Sequence, residues 1–119
     1  MILWIGFAGV LGAVLRYSLG KWVSGLLGTV FPWGTWIINI SGSLLLGSLY
    51  GWHQSEMISD GTWVMWGTGF CGAYTTFSTF GYETLGLMGR QRYARAALYV
   101  VSSVVVGVLA AWAGVWLTA

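Results

Sequence analysis

The sequence predicts an all-α membrane protein of four transmembrane helices, with the third helix broken near mid-membrane. Three observations lead there. Only 7% of the 119 residues are charged and 57% are hydrophobic, whereas a soluble globular domain carries about 25% charged residues. Four apolar stretches, at about 2–19, 33–52, 62–88 and 94–118, are each near the ~20 residues that cross ~30 Å of hydrocarbon. The third contains a run, GTGFCGAYTTFSTFGYE at 67–83, that an uninterrupted lipid-crossing helix should avoid. The connections between stretches are short, so residues 1–119 are expected to form a single transmembrane domain.

Composition also excludes function classes. The nine tryptophans suit a chain with interfacial belts, where Trp and Tyr collect. One cysteine, Cys71, and one histidine, His53, supply neither a disulfide nor a CxxC-type metal site. A net charge of +2 is too small to argue for nucleic acid. No nucleophile–base pair or ligand cluster points to an enzyme. The N-terminus starts directly with apolar residues, and no cleavable signal peptide is expected.

The first stretch includes GFAGVLGAVLRY. Gly6, Gly9, Gly12 and Ala13 allow the close helix approach on which association in lipid depends. Arg16 has two readings: a functional intramembrane charge, or a side chain snorkelling from a helix end. The following segment, 20–32, is apolar enough to lie in the interface.

The second stretch reads GTWIINISGSLLLG. Asn39, Ser43, Gly47 and Gly51 recur every four residues and form a narrow polar-to-small stripe. An unpaired amide in an apolar medium costs a few kcal/mol, so Asn39 needs a partner. It is either an interhelical clamp or a donor lining a pore.

The third stretch holds Gly67, Gly69 and Gly72, then Thr75, Thr76, Ser78 and Thr79. Glycine lowers helix stability by about 1 kcal/mol relative to alanine, and Ser and Thr offer the backbone competing hydrogen bonds. Irregular backbone at membrane depth survives only inside protein or beside a wet cavity. A break within 72–76 is therefore expected, with unwound carbonyls directed at an ion. Phe77 and Phe80 follow it on one helix face. The alternative is a glycine-kinked packing helix whose phenylalanines face lipid.

The fourth stretch repeats the stripe with Tyr99, Ser103, Gly107 and Ala111. Four crossings put both termini and the 53–61 loop on one side. All five basic residues (Arg16, Lys21, Arg90, Arg92, Arg95) lie toward the other side, which by the positive-inside rule places the termini outside.

GAVLRY at 12–17, GTWIINISGSLLLG at 34–47 and above all GFCGAYTTFSTF at 69–80 resemble the small bacterial fluoride channel family, called Fluc or CrcB. The resemblance covers nearly the whole chain. It implies a multi-pass protein of the inner (plasma) membrane that exports toxic fluoride passively through two pores of an antiparallel, dual-topology homodimer. It also implies a structural sodium ion at the dimer interface, held by the backbone carbonyls of Gly72 and Thr75 from both subunits. Asn39, Phe77, Phe80, Tyr99 and Ser103 would line the pores, with hydroxyls from Ser78 and Thr79 and a carboxylate, Glu83, at the pore end. Gly72→Val is expected to be damaging, because a β-branched side chain would resist the unwound backbone. The five-to-none charge bias departs from dual topology and admits a fixed-orientation half of a heterodimer.

Elementary chemistry is compatible with fluoride. A small, strongly hydrated anion needs donors in place of its water, and Asn, Ser, Thr and Tyr supply them. Aromatic edges are positive, so Phe77 and Phe80 can meet an anion edge-on. Sparse fixed charge keeps binding weak enough for release. The alternative function is a small dual-topology proton-coupled multidrug exporter, which requires an embedded carboxylate; Glu83, near a helix end, is the one candidate. A packing subunit without transport would explain the small-residue stripes but not the broken helix.

Overall fold

The computed structural model describes residues 2–119, and all regular elements among them are helical. Helix α1 spans Ile2–Leu27 and α2 spans Trp33–Gln54. The stretch expected as the third crossing is assembled from four pieces: α3 (Asp60–Trp63), a π-helix (Val64–Cys71), α4 (Gly72–Tyr74) and α5 (Phe77–Gly89). Helix α6 spans Tyr93–Thr118. Of these, α1 and α6 are each long and apolar enough to cross a membrane as one continuous helix.

Helix α1 runs eight residues past the expected end at Leu19, so most of the expected interfacial segment is helical. Gly20 and Gly25 are tolerated within it. The helix stops at Gly28, whose φ of +81° is a left-handed conformation that glycine adopts without steric cost. Pro32 then stands immediately before α2.

Two parallel helix pairs build the molecule. α2 lies along α6, and α1 lies along the first half of the third crossing, with α1 and α2 antiparallel. In the α2–α6 pair the two small-residue stripes meet. A Cβ on Gly47 would collide with the Ala111 carbonyl, and one on Gly107 would sit 3.6 Å from Ser43 Oγ. On α6, Gly114 faces Leu44 O at 2.5 Å and Ser48 N at 2.6 Å by the same measure. Such contacts bring backbones together and maximise dispersion, the main source of association between helices in lipid.

The α1 pair uses the same device. Gly12 backs onto the Phe70 carbonyl, and a Cβ on Gly69 would come within 2.8 Å of the Ile5 carbonyl. Both contacts fall where the third crossing is π-helical. With glycine at 67, 69 and 72 the local preference for regular α-helix is weak, and packing against α1 sets the backbone there.

The interruption is narrower than expected. Gly72 keeps helical angles (φ −61°, ψ −35°), and Thr75 N still donates to Cys71 O at 3.0 Å. Only Thr75 (ψ 155°) and Thr76 (φ −144°, ψ 120°) are extended. The reason expected for Gly72 therefore fails: its backbone is ordinary, and a Cβ there would meet nothing within 4 Å. Two successive β-branched residues carry the extended geometry instead. A merely kinked helix is excluded by these angles.

Candidate functional site: a clamped break between two cavities

Three consecutive residues of the third crossing, Tyr74, Thr75 and Thr76, are held by α2. Tyr74 Oη and Ser41 Oγ share a hydrogen bond of 2.8 Å. Thr75 packs its Cγ2 into the space left by the missing side chain of Gly42. Thr76 is paired through its backbone: Asn39 Nδ2 donates to Thr76 O at 3.2 Å, and Thr76 N donates to Asn39 Oδ1 at 3.0 Å. The asparagine amide thus acts like a neighbouring strand and satisfies groups freed by the extended backbone.

Because Thr76 N–H turns to Asn39, the Gly72 carbonyl loses the donor that helical geometry would give it. Downstream, Thr76 changes role. Its hydroxyl accepts from Thr79 N at 3.2 Å and caps α5, a frequent task of threonine at that position. Thr76 is therefore both the end of one helix and the start of the next.

Two cavities meet at this residue. The first, about 310 Å³, is lined by Asn39, Ser43, Thr75, Thr76, Phe77, Phe80 and Ser103 among others. The second, about 620 Å³, is lined by Arg16, Lys21, Ser24, Thr35, Thr76, Thr79 and Glu83 among others. The first has a mostly apolar wall, with Leu46, Val104 and two phenyl rings, into which a few hydroxyl groups and the Asn39 amide are set, and it holds no charged side chain. The second carries fixed charge, two cationic side chains and one carboxylate.

Most residues expected at the site are gathered here. Phe77 and Phe80 lie with ring centroids 6.3 Å apart and planes inclined at 32°. Phe80 packs on Tyr99 at 4.9 Å, and Phe31 meets the same Tyr99 edge-on at 5.5 Å. Tyr99 is 0% exposed. Its hydroxyl and that of Ser103 are buried without a hydrogen-bond partner among the described residues, and buried hydroxyls normally have one. Asn39 keeps a second amide hydrogen beyond the one donated to Thr76, on a residue that lines the first cavity.

Glu83 accepts from Thr35 Oγ1 at 2.5 Å, which fixes the carboxylate against α2 at the wall of the second cavity. Ser78 stands apart: it is exposed and lines neither cavity. Phe77 reaches the first cavity yet is 86% exposed.

Thr76, Thr35, Arg16 and Lys21 complete the arrangement beyond the expected residues. Thr35 carried a signal, since it stands four residues before Asn39 and extends the α2 polar stripe by one turn. For Arg16, the two readings merge in a half-buried side chain at a cavity wall near the charged end.

The backbone at the break offers the kind of ligand that sodium takes. A hard cation takes oxygen ligands, and α4 ends with carbonyls lacking their helical donors. Gly72 is exposed with open space where a side chain would be. Carbonyls of Gly72 and Thr75 are therefore donors of the kind such an ion takes.

The family described as "CrcB-like protein, Camphor Resistance (CrcB)" matches residues 3–115. A protein of Acidobacterium capsulatum named fluoride-specific ion channel FluC is 44% identical over 113 residues, covering 94% of this chain and 90% of that one. A protein of the same name from Leptospira interrogans is 40% identical over 117 residues, covering 98% and 92%. FluC 1 of Streptomyces avermitilis is 45% identical over 107 residues, covering 90% and 86%. These are names of channels and not of enzymes, and nothing in them favours a proton-coupled exporter. A nearly full-length family match together with relatives of this identity shows that the chain belongs to the CrcB family.

Proposed function

We propose that this chain forms a fluoride-selective channel, which lets toxic fluoride leave passively across the inner (plasma) membrane. The observation that carries the reading is the meeting of two cavities at Thr76, one uncharged with a few neutral donors in an apolar wall, the other charged. Similarity to proteins named fluoride-specific ion channels supplies the ion. Asn39, Thr79, Tyr99 and Ser103 offer neutral donors along the path. The edges of Phe77 and Phe80 offer weak positive potential. Arg16 and Lys21 raise the local concentration of anions at the wider mouth, and Glu83 limits how tightly they are held there.

The working unit is an antiparallel homodimer with two pores. Support comes from the exposed Phe77, Ser78 and Gly72 around the break. A second copy would cover them and bring its own Ser78 and Phe77 to the path. The carbonyls of Gly72 and Thr75 from both copies would hold a structural sodium ion on the two-fold axis.

The test is ion efflux from liposomes containing the purified protein, comparing fluoride with chloride. Fluoride flux far above chloride flux is expected, without a pH gradient being needed. Equal passage of both ions, or flux that requires a proton gradient, would overturn the proposal.

A further inference from the structure

A groove separate from the two cavities opens between the first turns of α2 and α6. It measures about 320 Å³ and is lined by Phe31, Trp33, Trp36, Arg95, Leu98 and Ser102. Its walls are almost wholly apolar, and its aromatic side is built. Phe31 and Trp33 have ring centroids 4.7 Å apart, and Trp33 meets Trp36 edge-on at 5.7 Å. Trp36 Nε1 donates to Ser102 Oγ at 3.0 Å, so the indole contributes no unsatisfied donor to the groove.

The one charge in the wall, Arg95, has no ion-pair partner among the described residues. No acid among the described residues forms an ion pair with it. Glu83 is held by Thr35. Asp60 pairs with His53 at 2.6 Å. That loop lies near the far end of α6, where Ser55 bonds Thr118 O. From Arg95 to Thr118 is about 35 Å at ~1.5 Å per residue. Arg90 and Arg92 stand in the turn just before α6 and deepen the positive potential. Arg95 is exposed, so a negative group from outside the chain can reach it.

An apolar slot, a row of Trp at one helix-end level and a cluster of arginines specify an amphiphile with a negative head. Tryptophan rings settle at headgroup depth, and basic pockets between helices bind anionic lipid headgroups. We propose that this groove binds an anionic phospholipid, with its phosphate on Arg95 and the upper part of one acyl chain against Phe31, Trp33 and Leu98. Such a lipid would bridge α2 and α6 at the end where they are not joined by glycine contacts.

The test uses the full-length protein in neutral detergent. Its thermal unfolding is followed while phosphatidylglycerol or phosphatidylcholine is added. Ligand that binds only the folded state raises the midpoint with concentration. Phosphatidylglycerol should give a saturable rise and phosphatidylcholine little. Arg95→Gln should move the half-saturating phosphatidylglycerol concentration up roughly tenfold, the loss of one charge-assisted contact. Arg95→Lys should retain most of the response. Leu98 is 60% exposed, so Leu98→Asn should leave the fold intact and weaken the response, which keeps the test available if Arg95→Gln fails to fold. Equal responses to the two lipids, or an unchanged response in Arg95→Gln and Leu98→Asn, would overturn the proposal. So would an equal rise with inorganic phosphate alone, which would mark a free-anion site. A change of oligomeric state in Leu98→Asn with its lipid response retained would assign the groove to a second copy and overturn it as well.

Discussion

The side-chain amide of Asn39 forms two hydrogen bonds with the backbone of Thr76, one in each direction, at 3.2 and 3.0 Å. An amide is the smallest side chain carrying both a donor and an acceptor in one plane, and extended backbone presents the complementary pair. The two readings of Asn39 open at the level of sequence, clamp and pore donor, are therefore compatible. One amide hydrogen holds the break, and the other belongs to a residue at the cavity wall.

Asn39→Asp keeps the shape but places a carboxylate oxygen against the Thr76 carbonyl. The bond to Thr76 O is lost and replaced by repulsion, at a cost of about 1–3 kcal/mol for an unsatisfied buried group. Unfolding temperature and fluoride efflux should both fall, and Asn39→Ala should fall less in stability because it adds no charge. A variant with normal stability and abolished flux would show that the amide acts on the ion alone.

Phe77→Ile and Phe80→Ile should separate the two rings. Both remove a positive aromatic edge, so both should cut fluoride efflux severely. Phe80 packs on Tyr99 at 4.9 Å, so its replacement should also destabilise the chain by about 1 kcal/mol, the scale of an aromatic pair. Phe77, 86% exposed, should leave chain stability unchanged. Thermal unfolding and liposome efflux on the two proteins measure the contrast.

What could be read from sequence follows how local each cause is. The break was legible because glycines and paired threonines oppose helix within the same few residues. Its exact position was not, since Gly72 stays helical and the extended pair is fixed by Asn39 and Gly42 on another helix. The π-helical turn was hidden for the same reason: it lies where Gly12 presses on the Phe70 carbonyl. The segment 20–32 is expected as an interfacial connection, whereas α1 continues to Leu27 and the left-handed turn falls at Gly28. The meeting of Thr35 with Glu83 spans 48 positions and leaves no local trace beyond the α2 stripe.

Gly47→Ala and Gly25→Ala form a matched pair. Gly47 has the Ala111 carbonyl where its Cβ would go, whereas Gly25 has nothing within 4 Å. Backbone on both sides leaves little room to yield, and overpacking of this kind costs about 1–3 kcal/mol. Gly25→Ala should instead gain up to about 1 kcal/mol from helix propensity. Reversible unfolding in detergent should show opposite signs for the two variants.

The sodium site is tested by what each substitution leaves behind. Thr75 Oγ1 donates to Cys71 O at 2.8 Å, so Thr75→Ala loses one local hydrogen bond, about 1 kcal/mol, but keeps its carbonyl. Gly72→Ala fits the helical angles and the open space of the single chain, and should leave protomer folding unharmed. If the two carbonyls belong to a shared cage, replacing sodium with a large organic cation should lower the stability of the wild-type dimer, since a ligand bound only to the assembled state stabilises it by mass action. Thr75→Ala should respond to that replacement as wild type does. Gly72→Ala adds a methyl beside the carbonyl where the second copy approaches, and should shift the sodium needed for dimer stability upward while the protomer remains folded. Dimer stability indifferent to sodium in wild type would remove the ion from the interface and leave these carbonyls as the frayed end of α4.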